Sequence, residues 1–271
     1  MSYYQIKGGS MIKVFSFVAS CAGKESNTAL FSDMVAKRLK EYAEKSGKEV
    51  EYKRITGESL KIEFCRSCET CFYDWECPLD NGDDMSVLKQ KMLCADVILF
   101  CSPVYMGSMS GLMKCVVDRL AYWSHLYELA GKTAAVLVTS SNNHGTETAS
   151  AIEEAVRMFG ASVAYSGCAY RHNADPGLNN RSDMDPILDE ICGRLMDCLE
   201  QPYKYITREQ DISFYVRGKE NLRAKAFAEI FGSDLAYDAA AWEQRGFDRY
   251  NRLSDYLKNG NLVHSSRIHS T

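Results

Sequence analysis

A strand, a polar loop and a helix repeat five times over residues 11–200. That repeat predicts a doubly wound α/β fold: a five-stranded parallel sheet in the order 2-1-3-4-5, with helices on both faces and a helical C-terminal extension. Two further observations carry it. Residues 96–101 and 132–139 are nearly continuous apolar runs, the pattern of strands buried on both faces. The loops after the first, third and fourth strands are the richest in Ser, Thr, Gly and Asn, and in such a sheet all of them open on the rim where ligands bind.

The elements follow in order. Residues 1–10 read as a poorly fixed leader, and residues 11–200 as one ligand-binding unit. Residues 12–18 have the β-branched and aromatic content of a strand, and 19–28 form a small, polar loop. Ala29, Leu30, Met34, Val35, Leu39, Tyr42 and Ala43 then share a helix face that stops at Gly47. Residues 49–55 alternate apolar with charged side chains, as a strand near a sheet edge does. A cysteine-bearing segment, 62–85, ends in Asp83 and Asp84, which can cap a helix over about 85–94. Strand 96–101, a loop from Ser102 to Ser110 and a helix at about 111–127 come next, then strand 132–139, loop 140–146 and a helix at about 147–159. Strand 162–169, a polar loop through Asn180 and a helix at about 183–199 close the unit. Residues 201–271 break the pattern, with amphipathic helices expected at 222–231 and 237–257 and many aromatics. They read as an appendage packed on its own chain or on a second subunit.

At 271 residues and 46% apolar content the chain can bury a substantial core. A net charge of −4 makes no electrostatic case for nucleic acid or an anionic membrane. No apolar run approaches the ~20 residues that span a bilayer, and the start shows no signal-peptide core, so a cytoplasmic protein is expected. In a reducing compartment eleven cysteines point to thiol, metal or redox chemistry rather than disulfides. Cys21, Cys94, Cys101, Cys115, Cys168, Cys192 and Cys198 are scattered, mostly among apolar neighbours, and read as buried thiols.

The other four are not scattered. Cys65, Cys68, Cys71 and Cys77 have the spacing C-x2-C-x2-C-x5-C. Iron–sulfur clusters are held by thiolates, and such short spacing lets one loop wrap three corners of a [4Fe-4S] cubane while Cys77, beside Pro78, closes the fourth. Zinc usually takes two C-x2-C knuckles farther apart. Zinc and free, redox-active thiols stay open as alternatives.

The first loop suits an anion: a helix N-terminus with Ser20, Ser26, Asn27 and Thr28 as neutral donors and Lys24 as a cation. Neither G-x4-G-K-[ST] nor G-x-G-x-x-G occurs there, which disfavours a nucleoside triphosphatase and a dinucleotide fingerprint. The second loop, Pro103, Val104, Tyr105, Met106, Gly107 and Ser108 after Ser102, combines a rigid proline, an aromatic face and a glycine. A flat heteroaromatic ring needs that mixture of stacking and backbone hydrogen bonds. The third loop, with Ser140, Ser141, Asn142, His144 and Gly145, can add edge contacts; His144 reads as a surface histidine.

These stretches, S-x3-K-x-S-N-T, S-P-V-Y-x-G-S-M-S-G-x-M-K-x3-D-R and T-S-S-N-N-H-G-T-E-T, resemble the flavodoxin-like NAD(P)H-dependent FMN reductases over about residues 11–200. The cysteine run before Asp83-Asp84-Met85 is similar to that of the iron-sulfur flavoprotein branch. The chain departs from the family at Cys21-Ala22, where a proline and a basic residue are commoner, and compact members have no counterpart of the last seventy residues. The resemblance implies that Ser20, Lys24, Ser26, Asn27 and Thr28 hold the FMN phosphate. It implies that Pro103 to Ser108 line the isoalloxazine, and that Ser140, Ser141, Asn142 and Gly145 complete the pocket. It also implies a homodimer or larger homo-oligomer, with NAD(P)H as electron donor and a small-molecule or protein redox partner. The expected function is an FMN-dependent oxidoreductase or electron-transfer flavoprotein carrying a [4Fe-4S] cluster. A cluster-free FMN or quinone reductase, and a non-catalytic flavin carrier docking on another enzyme, are the alternatives.

Overall fold

A computed structural model describes residues 11–23, 26–170, 181–232 and 237–259, with the side chains of 181–183 and 237 excepted. The expected leader, Lys24 and the polar loop at 171–180 lie outside the described residues.

The central sheet contains β1 (Met11–Val18), β2 (Glu49–Thr56), β3 (Val97–Tyr105), β5 (Thr133–Ser140) and β6 (Ser162–Tyr170), all paired in parallel in the order β2-β1-β3-β5-β6. A two-residue strand, β4 (Ser108–Met109), pairs antiparallel with the end of β3. Setting that strand aside, the order is the 2-1-3-4-5 expected of the five repeats.

The period-two placement of side chains splits the core in two. Phe15, Phe17, Ile98, Phe100, Val136 and Val138 face α3 (Met85–Cys94), α4 (Gly111–Arg119) and α6 (Gly145–Met158). Val14, Val18, Val97, Leu99, Cys101 and Leu137 face α1 (Asn27–Lys45) and α7 (Arg181–Glu200). Cys101, Cys192 and Cys198 lie in this second layer, fully buried, and burial pushes each thiol up to about 12. Cys21 and Cys94 are exposed instead, against the expectation of buried thiols, because each falls at an element boundary.

The helix expected at 111–127 is two: α4 ends at Arg119 and a short α5 spans Trp123–Leu126. A left-handed Tyr127 (φ 49°) ends α5 and points its ring into a separate aromatic cluster. That cluster is formed with α8 (Arg208–Phe231), α9 (Tyr237–Arg245) and α10 (Leu253–Lys258). α8 starts fourteen residues before the expected helix because Thr207 and Gln210 form a capping box. The helix expected at 237–257 breaks at Gly246, which takes φ 71°. Phe214 stacks on Trp242 at 4.6 Å, and Trp242 Nε1 donates to the carbonyl of His125 (2.8 Å). Gln210 Nε2 donates to the carbonyls of Arg157 (3.0 Å) and Ala161 (3.1 Å). The extension therefore packs on its own chain, through α5 and the end of α6. Among the described residues no helix is long and apolar enough to cross a membrane.

Candidate functional site

The C-terminal ends of β1, β3 and β5 present their loops on one rim, and hydrogen bonds link those loops. At the first, Ser26 caps α1 by accepting from Ala29 N (3.1 Å). Thr28 Oγ1 shares a 2.6 Å hydrogen bond with Thr139 Oγ1, so α1 is tied to the end of β5. Ser20 is buried and receives the Ala22 amide on its hydroxyl (3.3 Å) and the Gly57 amide on its carbonyl (3.1 Å). The Ser26 hydroxyl is engaged as an acceptor and the Thr28 hydroxyl shares one proton with Thr139, which leaves Ser26 its own O–H to donate. To an anion this turn also offers backbone N–H at the positive end of a 19-residue helix, with the half-buried Asn27 beside it.

The second loop is more regular than its sequence suggests. Ser102 to Tyr105 continue β3, Val104 pairs with Met109 and Tyr105 with Ser108. Met106 (φ 49°) and Gly107 (φ 77°) form a two-residue turn with both central residues left-handed, the arrangement that matches strand twist. Met-Gly is not the usual Asn-Gly or Asp-Gly signal, which is why a loop was the natural sequence reading. The base of the hairpin is fastened by Ser110 N to Ser102 Oγ (3.0 Å) and by Ser110 Oγ to the carbonyl of Ala19 (2.7 Å), which joins the second loop to the first. Pro103 is buried, Val104 and Gly107 are half-buried, and Tyr105, Met106 and Ser108 are exposed at the tip.

In the third loop, Ser140 Oγ donates to the carbonyl of Asn143 (2.6 Å) and accepts its amide (3.3 Å), a local turn that leaves Ser141 and Asn142 exposed. His144 takes φ 54°, and its imidazole lies 3.4 Å from where a Cβ on Gly107 would stand. His144 is exposed, as expected of a surface histidine, and its ring stands beside Gly107 where the second and third loops approach each other. Gly145 opens α6 against β6: a Cβ there would fall 2.3 Å from Cys168 Sγ and 2.7 Å from the Tyr170 hydroxyl. Thr148 Oγ1, one turn into α6, is buried without a partner.

The cysteine segment follows β2. Cys65 and Cys68 are exposed, Cys71 is half-buried at the start of the one-turn helix α2 (Cys71–Asp74), and Cys77 is buried. Ser67, Glu69 and Trp75 adopt left-handed backbone (φ 52°, 60° and 58°), so the segment changes direction repeatedly between its cysteines. The thiols sense one another: burial first, then the charges of Cys77, Cys65 and Cys68, push the Cys71 thiol up to about 11. Hydrogen bonds from Thr70 hold the Cys68 thiol below its ordinary value. Among the described residues no group of three or more His, Cys, Asp or Glu side chains is gathered closely enough to hold a metal ion.

Both ends of this segment are clamped, by residues that sequence reasoning missed. Arg119, at the end of α4 with its side chain fully buried, donates from Nη1 to the carbonyl of Glu63 (2.8 Å) and to Asp83 (2.6 Å), and from Nη2 to Asp80 (2.6 Å). Asp83 also accepts the amides of Glu63 and Met85 (both 2.9 Å), so it caps α3 in place of Asp84. Asp84 accepts the Lys61 amide (2.7 Å). Lys89 of α3 completes the charge balance, 2.5 Å from Asp80 and 3.2 Å from the Tyr122 hydroxyl. Burial works to raise the Asp83 carboxyl, but Arg119 and the two amides hold it below the usual carboxylate range. The only signals in the sequence were an arginine near the end of an apolar helix and two aspartates after the cysteines. On its outer side the segment meets α5: the Phe72 ring lies 4.8 Å from the His125 ring, whose Nδ1 is 2.9 Å from Asp238 of α9.

A cavity of about 40 Å³ between α8 and α9, lined by Tyr215, Asn221 and Trp242, lies in the extension and is far too small for a flavin ring.

Comparison with known proteins agrees with this layout. A family profile described as NADPH-dependent FMN reductase matches residues 12–175. An iron-sulfur flavoprotein of Archaeoglobus fulgidus is 27% identical over 217 residues, covering 80% of this chain and 92% of that protein. An iron-sulfur flavoprotein of Methanocaldococcus jannaschii is 34% identical over 125 residues, 46% of this chain and 61% of that protein. Among solved structures, RosB with a bound 8-demethyl-8-formylriboflavin-5'-phosphate intermediate has a TM-score of 0.53 at 16% identity, covering 82% of this chain and 88% of that one. A flavone reductase has a TM-score of 0.51 at 16% identity, covering 72% of this chain and 65% of that one. At such identities the structural likenesses speak to the fold alone.

Proposed function

The chain belongs to the NADPH-dependent FMN reductase family, and from that premise we propose where this FMN-dependent oxidoreductase keeps its cofactors: the flavin on the C-terminal rim of the sheet, and a [4Fe-4S] cluster at Cys65, Cys68, Cys71 and Cys77. The observation that carries the flavin site is the hydrogen bonding between the rim loops, Thr28 to Thr139 and Ser110 to Ala19, with His144 standing beside Gly107. Loops joined in this way form one prearranged surface. The α1 N-terminus with Ser20 and Asn27 receives the phosphate. The β3–β4 hairpin, Pro103 to Ser108, lies along the ring, and Ser140, Ser141, Asn142 and Gly145 border its polar edge. Ser26 and Thr28 belong to the phosphate turn, and Lys24, expected there from the sequence, lies outside the described residues.

Four cysteines spaced C-x2-C-x2-C-x5-C in one segment offer the all-thiolate donor set of an iron–sulfur cluster. The names of the relatives from Archaeoglobus fulgidus and Methanocaldococcus jannaschii support that occupant. Bound FMN exchanges electrons singly or in pairs and a cluster one at a time, so the pairing joins a two-electron donor such as NADPH to a one-electron redox partner. The chain's own part is to bind, orient and electrostatically tune both groups. A homodimer or larger homo-oligomer belongs to the same reading, and sedimentation analysis of the holoprotein checks it.

Anaerobic purification, with an absorption spectrum and iron and sulfide assays, tests the cofactors. The expected result is stoichiometric FMN with about four iron and four sulfide per chain, and flavin bleaching on addition of NADPH. Stoichiometric FMN that bleaches with NADPH, in protein with less than about one iron per chain, would replace the cluster reading with a cluster-free reductase.

A further inference from the structure

Arg119 gathers the two ends of the cysteine segment onto one buried guanidinium. Its Nη1 bonds Glu63, two residues before Cys65, and Asp83, six residues after Cys77; its Nη2 bonds Asp80, three residues after Cys77. These are two of its three nitrogens, set in the planar fork that only arginine offers. The third, Nε, is buried without a partner. Cys115, one turn earlier on α4, donates to the same Glu63 carbonyl (3.4 Å). The other end of α4 starts at Ser110, which ties the hairpin of the proposed flavin site to Ala19. One helix thus carries a flavin-loop anchor at its N-terminus and the cysteine-loop clamp at its C-terminus.

We propose that Arg119 is a positioning residue for the sulfur ligands. By closing the cysteine segment across Glu63, Asp80 and Asp83, it holds Cys65 and Cys77 in register for one four-sulfur group, and it places a fixed positive charge beside that group. The proposal rests on the cluster reading for the identity of the group, but the closure of the loop stands apart from it. Lys89, the neighbouring cation, bonds Asp80 and the Tyr122 hydroxyl rather than spanning Glu63 and Asp83.

The test compares wild type, Arg119→Lys and Arg119→Met, all expressed as full chains and purified anaerobically. FMN content and protection of the buried thiols Cys192 and Cys198 against iodoacetamide report that the fold is intact. In iron-stripped protein, the buried Cys77 of wild type is expected to resist alkylation. In Arg119→Met it is expected to react at a rate within about threefold of exposed Cys65, with Arg119→Lys in between, since lysine restores the charge but not the fork. Iron per chain is expected to fall several-fold in Arg119→Met and to recover in part with lysine. The cluster that remains in Arg119→Met is expected at a lower midpoint potential, because a nearby cation favours the more negative, reduced form. Arg119→Met that keeps its FMN, its iron and a protected Cys77 would overturn the proposal. So would Arg119→Lys indistinguishable from wild type in Cys77 protection, which decides the matter if the methionine variant fails to fold. Wild type without iron would remove the cluster reading while leaving the Cys77 labelling to decide the loop closure.

Discussion

Thr28 and Thr139 join hydroxyl to hydroxyl at 2.6 Å, both buried, and so lock the first turn of α1 to the C-terminal end of the strand β5. This contact spans 111 residues of sequence and sits where the proposed phosphate turn meets the third loop. Removing one hydroxyl leaves the other buried and unpaired. Thr28→Val or Thr139→Val is expected to cost about 1–3 kcal/mol in urea unfolding. The double variant should cost less than the sum of the singles, and FMN affinity should fall in both singles. Strict additivity in the double-mutant cycle would show that the two hydroxyls do not interact.

Gly145 has no room for a side chain. A methyl there would meet Cys168 Sγ at 2.3 Å and Cys168 Cβ at 2.7 Å, backed by β6. Gly145→Ala is expected to lose about 1–3 kcal/mol from overpacking and to shift the third loop enough to weaken FMN binding. Cys168→Ala in the same chain removes the clashing sulfur and should restore part of both. Thermal melts and flavin fluorescence titration check it, and an undisturbed single variant would mean that β6 yields more easily than its packing indicates.

Asp83 places a pH dependence in the clamp. Its carboxyl lies below the usual carboxylate range in the folded protein, although burial alone would raise it, because Arg119 and the amides of Glu63 and Met85 favour the ionised form. A depressed folded value gives stability that is complete above the ordinary carboxylate pKa of about 3.9 and is lost as pH falls through the folded value. Wild type should therefore hold its Asp83 contribution from neutral pH down to about pH 4 and lose it in stronger acid. Asp83→Asn leaves Arg119 buried with one carboxylate and is expected to cost about 3–5 kcal/mol at pH 7, with a shallower loss in acid. Urea midpoints taken from pH 7 to pH 3 decide it.

Trp242 anchors the C-terminal extension. It is almost fully buried, stacks on Phe214 and donates to the carbonyl of His125. Trp242→Ala is expected to cost about 3–5 kcal/mol of local stability, read as faster hydrogen exchange over 208–258, while FMN binding at the rim is retained. Exchange confined to residues outside that span would show that the extension is held by other contacts.

Much of the fold was legible because its signals are local and periodic. The alternation in residues 97–101, with Val97, Leu99 and Cys101 on one face and Ile98 and Phe100 on the other, needs no partner to be recognised as a buried strand. Helix breaks were less legible. Gly246 interrupts a continuous amphipathic pattern, and Arg119 ends α4 inside an apolar stretch, because tertiary packing around Tyr127 outweighs propensity there. The hairpin at 102–109 lacked the usual turn residues, so only the pairing of Val104 with Met109 reveals it.

The amino-acid sequence alone determined the parallel sheet and its strand order, the polar composition of three loops on one rim, and a four-cysteine segment after the second strand. It could do so because burial imposes a repeat on the residues that make an element. Only the tertiary structure decided which groups meet. Arg119 finds Asp83 across 36 residues, Thr28 finds Thr139 across 111, and His144 closes on Gly107 across two loops. Such pairings leave no period in the chain, since a buried charge or hydroxyl is satisfied by whichever partner the folded backbone brings within about 3 Å.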